Sequence, residues 1–181
     1  MDSILPDVLS PGLRVVFCGT AAGKVSAKKR AYYAGPGNRF WPTLHEIKLT
    51  PRRLEPVEFP EVLEFGIGLT DVAKAVSGAD SDLPRHGFDA ESLRRKITQS
   101  APEALAFNGK RAAKEFFGRS VSYGRQSERV GRTVVFVLPS TSGAARRYWD
   151  VAYWHELAEF VLGSRFSCRA EQDNAGRFDH G

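Results

Sequence analysis

Short, nearly unbroken apolar runs alternate along this chain with stretches in which apolar residues recur every three or four positions. The run Leu13-Arg14-Val15-Val16-Phe17-Cys18-Gly19 is rich in β-branched residues and ends at glycine, the pattern of a central strand covered on both faces. Similar runs stand at Ile67-Gly68-Leu69-Thr70, Ala104-Leu105-Ala106-Phe107 and Thr133-Val134-Val135-Phe136-Val137-Leu138. Between them, Phe40, Trp41, Leu44 and Ile47 share one helical face behind Asn38, a good N-cap residue. Leu93 and Ile97 follow the cap candidate Asp89, and Ala112, Ala113, Phe116 and Phe117 follow Gly109. A last helix carries Trp149, Tyr153, Leu157, Phe160 and Val161. Parallel neighbours need crossover connections, and helical crossovers cover both faces of a sheet. The expected fold is therefore α/β, a three-layer α/β/α sandwich around a central, mainly parallel four-stranded sheet. Residues 1–163 are expected to form one domain, with 164–181 a polar, mobile tail. Pro51 to Pro60 reads as a connection with room for a short helix.

In open parallel sheets, ligands collect beyond the carboxyl ends of the strands. Gly19-Thr20, Thr70-Asp71, Asn108 and Ser140 all fall at such ends, so a site is expected there from the pattern alone.

Composition narrows the classes. The 181 residues are 42% hydrophobic and 26% charged, and no run approaches the roughly 18 apolar residues that span a bilayer. The acidic, proline-bearing start is unlike a secretory leader, so a soluble, cytoplasmic protein without a membrane partner is expected. Two cysteines, Cys18 and Cys168, cannot supply a four-thiolate cage, and Cys18 reads as a small core residue. The four histidines lack metal-ligand spacing. No metal and no other cofactor is expected. The segment Gly19-Thr20-Ala21-Ala22-Gly23-Lys24 has its glycines one residue too close for a nucleotide-binding P-loop, and Val25 stands where the magnesium-binding hydroxyl belongs. A net charge of +5 permits a polyanionic partner. Its placement says more: Lys24, Lys28, Lys29 and Arg30 lie on one side of the expected site in sequence, Arg146 and Arg147 on the other.

Four segments then carry a resemblance: Phe17-Cys18-Gly19-Thr20-Ala21-Ala22-Gly23; Tyr32-Tyr33-Ala34-Gly35-Pro36-Gly37-Asn38-Arg39-Phe40-Trp41; Ala106-Phe107-Asn108-Gly109-Lys110; and Leu138-Pro139-Ser140-Thr141-Ser142-Gly143-Ala144-Ala145-Arg146. In this order and spacing the chain resembles the uracil-DNA glycosylase superfamily, closest to its mismatch-specific branch, from about Leu13 to Val161. The second and fourth segments are also similar to a hypoxanthine-type branch. The two cysteines exclude the cluster-bearing branches. Where the mismatch-specific branch carries its catalytic asparagine, this chain has Ala21.

The resemblance implies roles residue by residue. Gly19, Thr20 and Ala21 line the substrate pocket. Asn108 reads the base edge by offering its amide to O4 and N3–H of uracil, or else merely caps the helix that follows. Tyr33 covers the extruded base; Tyr32 and Tyr33 cannot both point inward if the segment is extended, so Tyr32 is assigned to packing. With Ala21 unable to position water, the catalytic candidates are Asn38, Asp71 and Ser140. Asn38 is equally an N-cap, and Asp71 equally a solvated start of a helix. Ser140 supports the leaving base weakly, so backbone N–H groups around Thr20 and Tyr33 are expected to share that task. Ser142, Gly143, Ala144, Arg146 and Arg147 form the loop that contacts DNA, with Ala144 and Ala145 a small wedge. Both arginines are placed in the first turn of the last helix, where cations oppose the helix dipole unless phosphate intervenes.

The expected function is a monomeric, cofactor-independent DNA glycosylase. It would remove uracil from single- and double-stranded DNA and leave an abasic site for base excision repair. Two alternatives stay open: a hypoxanthine-preferring glycosylase, and an inactive protein that binds uracil or abasic DNA.

Overall fold

The computed structural model describes residues 3–175, with side chains described through residue 163. The elements run β1 (Val15–Ala22), α1 (Lys24–Lys29), α2 (Phe40–Glu46), a 3₁₀ stretch (Pro56–Phe65), β2 (Ile67–Ser77), α3 (Ala90–Ser100), β3 (Ala104–Asn108), α4 (Lys110–Phe117), β4 (Gly124–Val130), β5 (Thr133–Leu138), a 3₁₀ turn (Gly143–Tyr148) and α5 (Ala152–Ala175), with two further short 3₁₀ turns between β2 and α3. The tail expected from residue 164 falls on the part of α5 whose side chains are not described and on residues 176–181, outside the described residues.

The sheet has five strands, not four, in the order β2-β1-β3-β5-β4. The first four are parallel, and β4 runs antiparallel to β5 at the edge. Its sequence, Gly-Arg-Gln-Ser-Glu-Arg-Val, is buried only at its ends, so an edge strand solvated along its middle carries no apolar run to betray it. The alternating side chains of the inner strands feed two cores. Val15, Phe17, Ala104, Ala106, Phe136 and Leu138 face a layer built from α2, the long 3₁₀ stretch and α5. Val16, Cys18, Leu105, Phe107, Val135 and Val137 face α3 and α4. Asp89 caps α3 as expected, its carboxylate accepting the Ser92 N–H at 2.9 Å.

Register positions the site. β1 pairs with β3 only as far as Cys18–Phe107, whereas its pairing with β2 continues through Gly19–Asp71 and Ala21–Ala73. Beyond Cys18 the β1–β2 ribbon therefore parts from β3, and a cleft opens between them. The connection leaving β1 leads to β2 on one side and that leaving β3 leads to β4 and β5 on the other, which makes this cleft the switch point where α/β sheets bind ligands. The N-terminal segment crosses β2: Val8 bridges Leu69, and Asp7 takes Lys74 at 3.0 Å, Lys96 at 2.6 Å and the Thr70 hydroxyl at 2.7 Å. No helix among the described residues is long and apolar enough to cross a membrane.

Candidate active site

The cleft is a cavity of about 870 Å³, within the range typical of small-molecule sites. Gly19, Thr20, Ala21, Tyr33, Asn38, Asp71, Asn108, Ser140, Ser142, Gly143 and Ala144 all border it. Arg146 and Arg147 lie on the adjoining turn.

At the floor, Asp71 does not end a strand or begin a helix. It sits mid-strand in β2, which continues to Ser77, and it is 5% exposed. It pairs with Gly19, and a Cβ there would lie 2.6 Å from Asp71 Oδ1 and 3.5 Å from the Tyr33 hydroxyl oxygen. Only glycine leaves the carboxylate room to cross β1. That carboxylate has no hydrogen-bond partner among the described residues. Burial pushes its pKa up to about 6; the Lys74 ammonium opposes the shift and Asp7 adds to it. The Tyr33 hydroxyl is likewise buried without a partner. Burial, then the charge of Asp71, holds this phenol well above its ordinary range, and the Asn108 amide acts the other way from outside hydrogen-bonding geometry.

Tyr32 and Tyr33 both turn inward, because the segment is not extended. Tyr33 adopts φ +54°, a left-handed conformation uncommon for a bulky residue. Its ring stacks on Phe40 at 3.9 Å, and Phe40 packs edge-on against Phe17 at 5.2 Å. Tyr32 is the packing member, its hydroxyl bonded to the Pro6 carbonyl at 3.2 Å and receiving Lys74 Nζ at 3.0 Å.

Across the cleft, Asn108 is buried at the end of β3 and does not cap α4; Gly109 holds the cap position. Its Nδ2 donates to Thr141 Oγ1 at 2.9 Å, and its Oδ1 accepts the Thr141 N–H at 3.0 Å. This two-point clamp fixes the amide plane and leaves one N–H and one oxygen lone pair unspent. Thr141 was not among the residues expected at the site, although its neighbours Ser140 and Ser142 were. Ser140 Oγ accepts the Ser142 N–H at 3.2 Å, so its own hydrogen remains available. Asn38 spends its Oδ1 on the Phe40 N–H at 3.0 Å, opening α2.

Arg146 and Arg147 are not in the first turn of the last helix. They belong to the separate 3₁₀ turn Gly143–Tyr148, and α5 begins only at Ala152, so no helix dipole opposes them. Trp149, expected on α5, precedes it. The turn packs closely on the second segment: a Cβ at Gly143 would stand 3.0 Å from the Pro36 carbonyl oxygen, and the Arg39 N–H bonds the Thr141 carbonyl at 2.9 Å. Ala144, Arg146 and Arg147 are exposed, as are Lys24, Lys28 and Lys29 of α1 and the following Arg30. Tyr123, Tyr148, Lys110 and Asp80 also border the cavity. Tyr123, Tyr148 and Asp80 lie outside the four segments, where nothing in local pattern pointed to them, and Lys110 closes the third segment without having been given a role. No group of residues suited to hold a metal ion occurs among the described residues.

The model of the family described as the uracil DNA glycosylase superfamily matches residues 6–158, which span all four segments and the whole sheet. Among solved structures, the solution NMR structure of a "putative Uracil DNA glycosylase" from Methanosarcina acetivorans is similar, with a TM-score of 0.58 and 24% identity over 87% of this chain and 95% of that one. That likeness speaks for the fold; the family match over most of the chain speaks for descent. The chain belongs to the uracil DNA glycosylase superfamily.

Proposed function

We propose that the protein is a monofunctional uracil-DNA glycosylase in which Asp71 does the work left vacant by Ala21. The carrying observation is the Asp71 carboxylate itself: buried, facing the cavity, and without a hydrogen-bond partner among the described residues. Asn38 has its amide oxygen engaged by α2, and Ser140 is no base, so Asp71 alone of the three candidates retains free acceptor atoms suited to water.

In this reading the nucleotide swings out of the stack and the base lies against Tyr33, whose ring is backed by Phe40. Asn108, held by Thr141, donates its remaining N–H to O4 and accepts N3–H with its remaining lone pair. As the bond from C1′ to N1 breaks, its electron pair stays with the base. The Asn108 N–H and the Ser140 hydroxyl offset the negative charge that develops. The Asp71 carboxylate faces the cationic sugar, as carboxylates do at other oxocarbenium-like transition states. It takes a proton from water as the oxygen bonds C1′. Asp71 returns that proton to solvent and the uracil anion takes one up, so the products are free uracil and an abasic sugar in an uncut strand. The protein acts as a monomer, without a cofactor, on single- and double-stranded DNA. Hypoxanthine is the second reading, favoured by the small side chains of Ala21 and Ala22 on the cavity wall.

The test is incubation with labelled single-stranded and duplex oligonucleotides holding uracil, hypoxanthine or xanthine, followed by alkali. Alkali-dependent cleavage at uracil is the expected result. Binding without release of any of the three bases would overturn the enzyme reading in favour of a damage-binding protein.

A further inference from the structure

Resting on the proposal that the cavity receives an extruded nucleotide, a further question is what fills or braces the strand it leaves. Ala144 and Ala145 offer one methyl group each. A larger group stands three residues on. Tyr148 is 58% exposed, borders the cavity and closes the same 3₁₀ turn. Of the other exposed large apolar side chains among the described residues, Val57 and Leu63 lie on the long 3₁₀ stretch away from the cavity, and Val25, on α1, borders it with an aliphatic group that offers no ring to stack upon.

Tyr148 is held outward by its surroundings. Ser142 Oγ caps the turn through the Ala144 N–H at 3.3 Å. The Trp149 N–H returns to the Arg146 carbonyl at 3.2 Å. The half-buried Trp149 ring lies 5.9 Å from Trp154 and carries the Arg39 guanidinium at 5.3 Å. Anchored on that side, the turn presents Tyr148 to solvent, with the Arg147 guanidinium 5.1 Å from its ring centroid. Tyr123 also borders the cavity, and Lys110 Nζ lies 4.2 Å from its ring centroid. Exposed aromatic faces interleaved with cations are how proteins hold unpaired nucleotides, whatever their sequence.

We infer that Tyr148 stacks on the base next to the extruded nucleotide, with Arg147 and Lys110 drawing in the flanking phosphates, and that the preferred ligand of this rim is single-stranded DNA. A flanking base in a duplex is already stacked and paired, whereas in a single strand it is free to lie on the tyrosine.

The experiment compares wild type, Tyr148→Ala and Tyr148→Phe on two single-stranded uracil oligonucleotides. One has ordinary neighbours; the other has baseless tetrahydrofuran spacers on both sides of the uracil. Affinity is measured in parallel on the same strands carrying 2′-fluoro-deoxyuridine, which resists cleavage. On the ordinary strand, Tyr148→Ala is expected to raise KM and Kd about tenfold with kcat nearly unchanged, in line with the stacking energy of one base. Tyr148→Phe should match wild type. On the spacer strand all three proteins should be equal, because no base remains to stack upon. Equal losses on both strands, or no loss on either, would overturn the assignment while wild-type excision still stood. Conversely, a wild type that excises nothing but shows the Tyr148 dependence in Kd would sink the enzyme reading and leave the stacking role intact.

Discussion

The two walls that face each other across the cleft treat their buried polar groups in opposite ways. At the end of β3, Asn108 meets Thr141 in a two-point clamp, and nothing about it is left to chance. Where β1 parts from β3, Asp71 and the Tyr33 hydroxyl are just as deeply placed and have no hydrogen-bond partner among the described residues. An unsatisfied buried polar group costs about 1–3 kcal/mol, more if charged, so a fold does not leave two together without compensation. The difference separates a surface built to hold and read from one built to react. The amide is fixed in advance and spends only its spare donor and acceptor on a ligand. The carboxylate keeps its full capacity for a water molecule and a developing cation.

Asp71→Asn tests that division most severely. The neutral amide removes the proton acceptor at constant size, and the excision rate should fall about 10²- to 10⁴-fold. In the wild type, single-turnover rate should climb tenfold per pH unit to about pH 6 and then level off, as the carboxylate ionises; the variant should lack this limb. Stability should move the other way. A carboxyl whose pKa is raised on folding contributes stability that is fully present below its unfolded value and is lost as pH rises through about 6. Above that pH the ionised group costs about 3 kcal/mol. The variant should thus resist urea better than wild type at pH 8, with the margin shrinking toward pH 4. A variant that is slow and also less stable at pH 8 would mean that Asp71 is a structural residue.

Asn108→Ala should break the opposite side of the comparison. It strands the Thr141 N–H and hydroxyl, and a stability loss of about 1–3 kcal/mol is expected, where Asp71→Asn gains. The rate on uracil should fall about 10- to 100-fold, and the preference for uracil over other bases should narrow. Thr141→Val keeps the reading amide but removes one of its two supports, so a smaller loss of both kinds is expected. Urea titration together with competition between uracil- and hypoxanthine-containing strands measures the pair. Full activity in Asn108→Ala would remove it as the reader.

The layering and the list of cavity residues were legible in the chain, and the reasons are local. Each inner strand is an apolar run, so knowing that ligands gather beyond strand ends was enough to assemble Gly19, Asp71, Asn108 and Ser140, whereas Tyr33, between α1 and α2, came from the resemblance alone. What escaped depends on register or on backbone conformation. Asp71 seemed to close its strand because a charged residue follows the apolar run Ile67-Gly68-Leu69-Thr70; in the fold β2 runs on to Ser77 and stays paired with β1 across a bulge. The Asn108–Thr141 clamp joins residues 33 apart, and the Asp71–Gly19 approach is a matter of which residues face each other across parallel strands. Neither leaves a local signal. Strand β4 was lost for the opposite reason, since its solvated middle looks like a loop. Tyr33 seemed unable to share a side with Tyr32 because nothing in the dipeptide announces a positive φ.

The smallest expected effect is also the most discriminating about that tyrosine. Tyr33→Phe keeps the ring on Phe40 and removes only a hydroxyl with no protein partner. Folding should become easier by up to about 1 kcal/mol, because a buried donor no longer lacks an acceptor. KM should be unchanged and kcat lower by no more than a few-fold, since stacking needs the ring and not the oxygen. Thermal melts and saturation kinetics, with Tyr33→Ala beside it, separate the two contributions: the alanine variant should lose the wall and raise KM sharply. If Tyr33→Phe instead slows excision as much as Asp71→Asn does, the phenol and the carboxylate act as one unit. The unpaired oxygen would then be part of the reacting group rather than an unused tip of the wall.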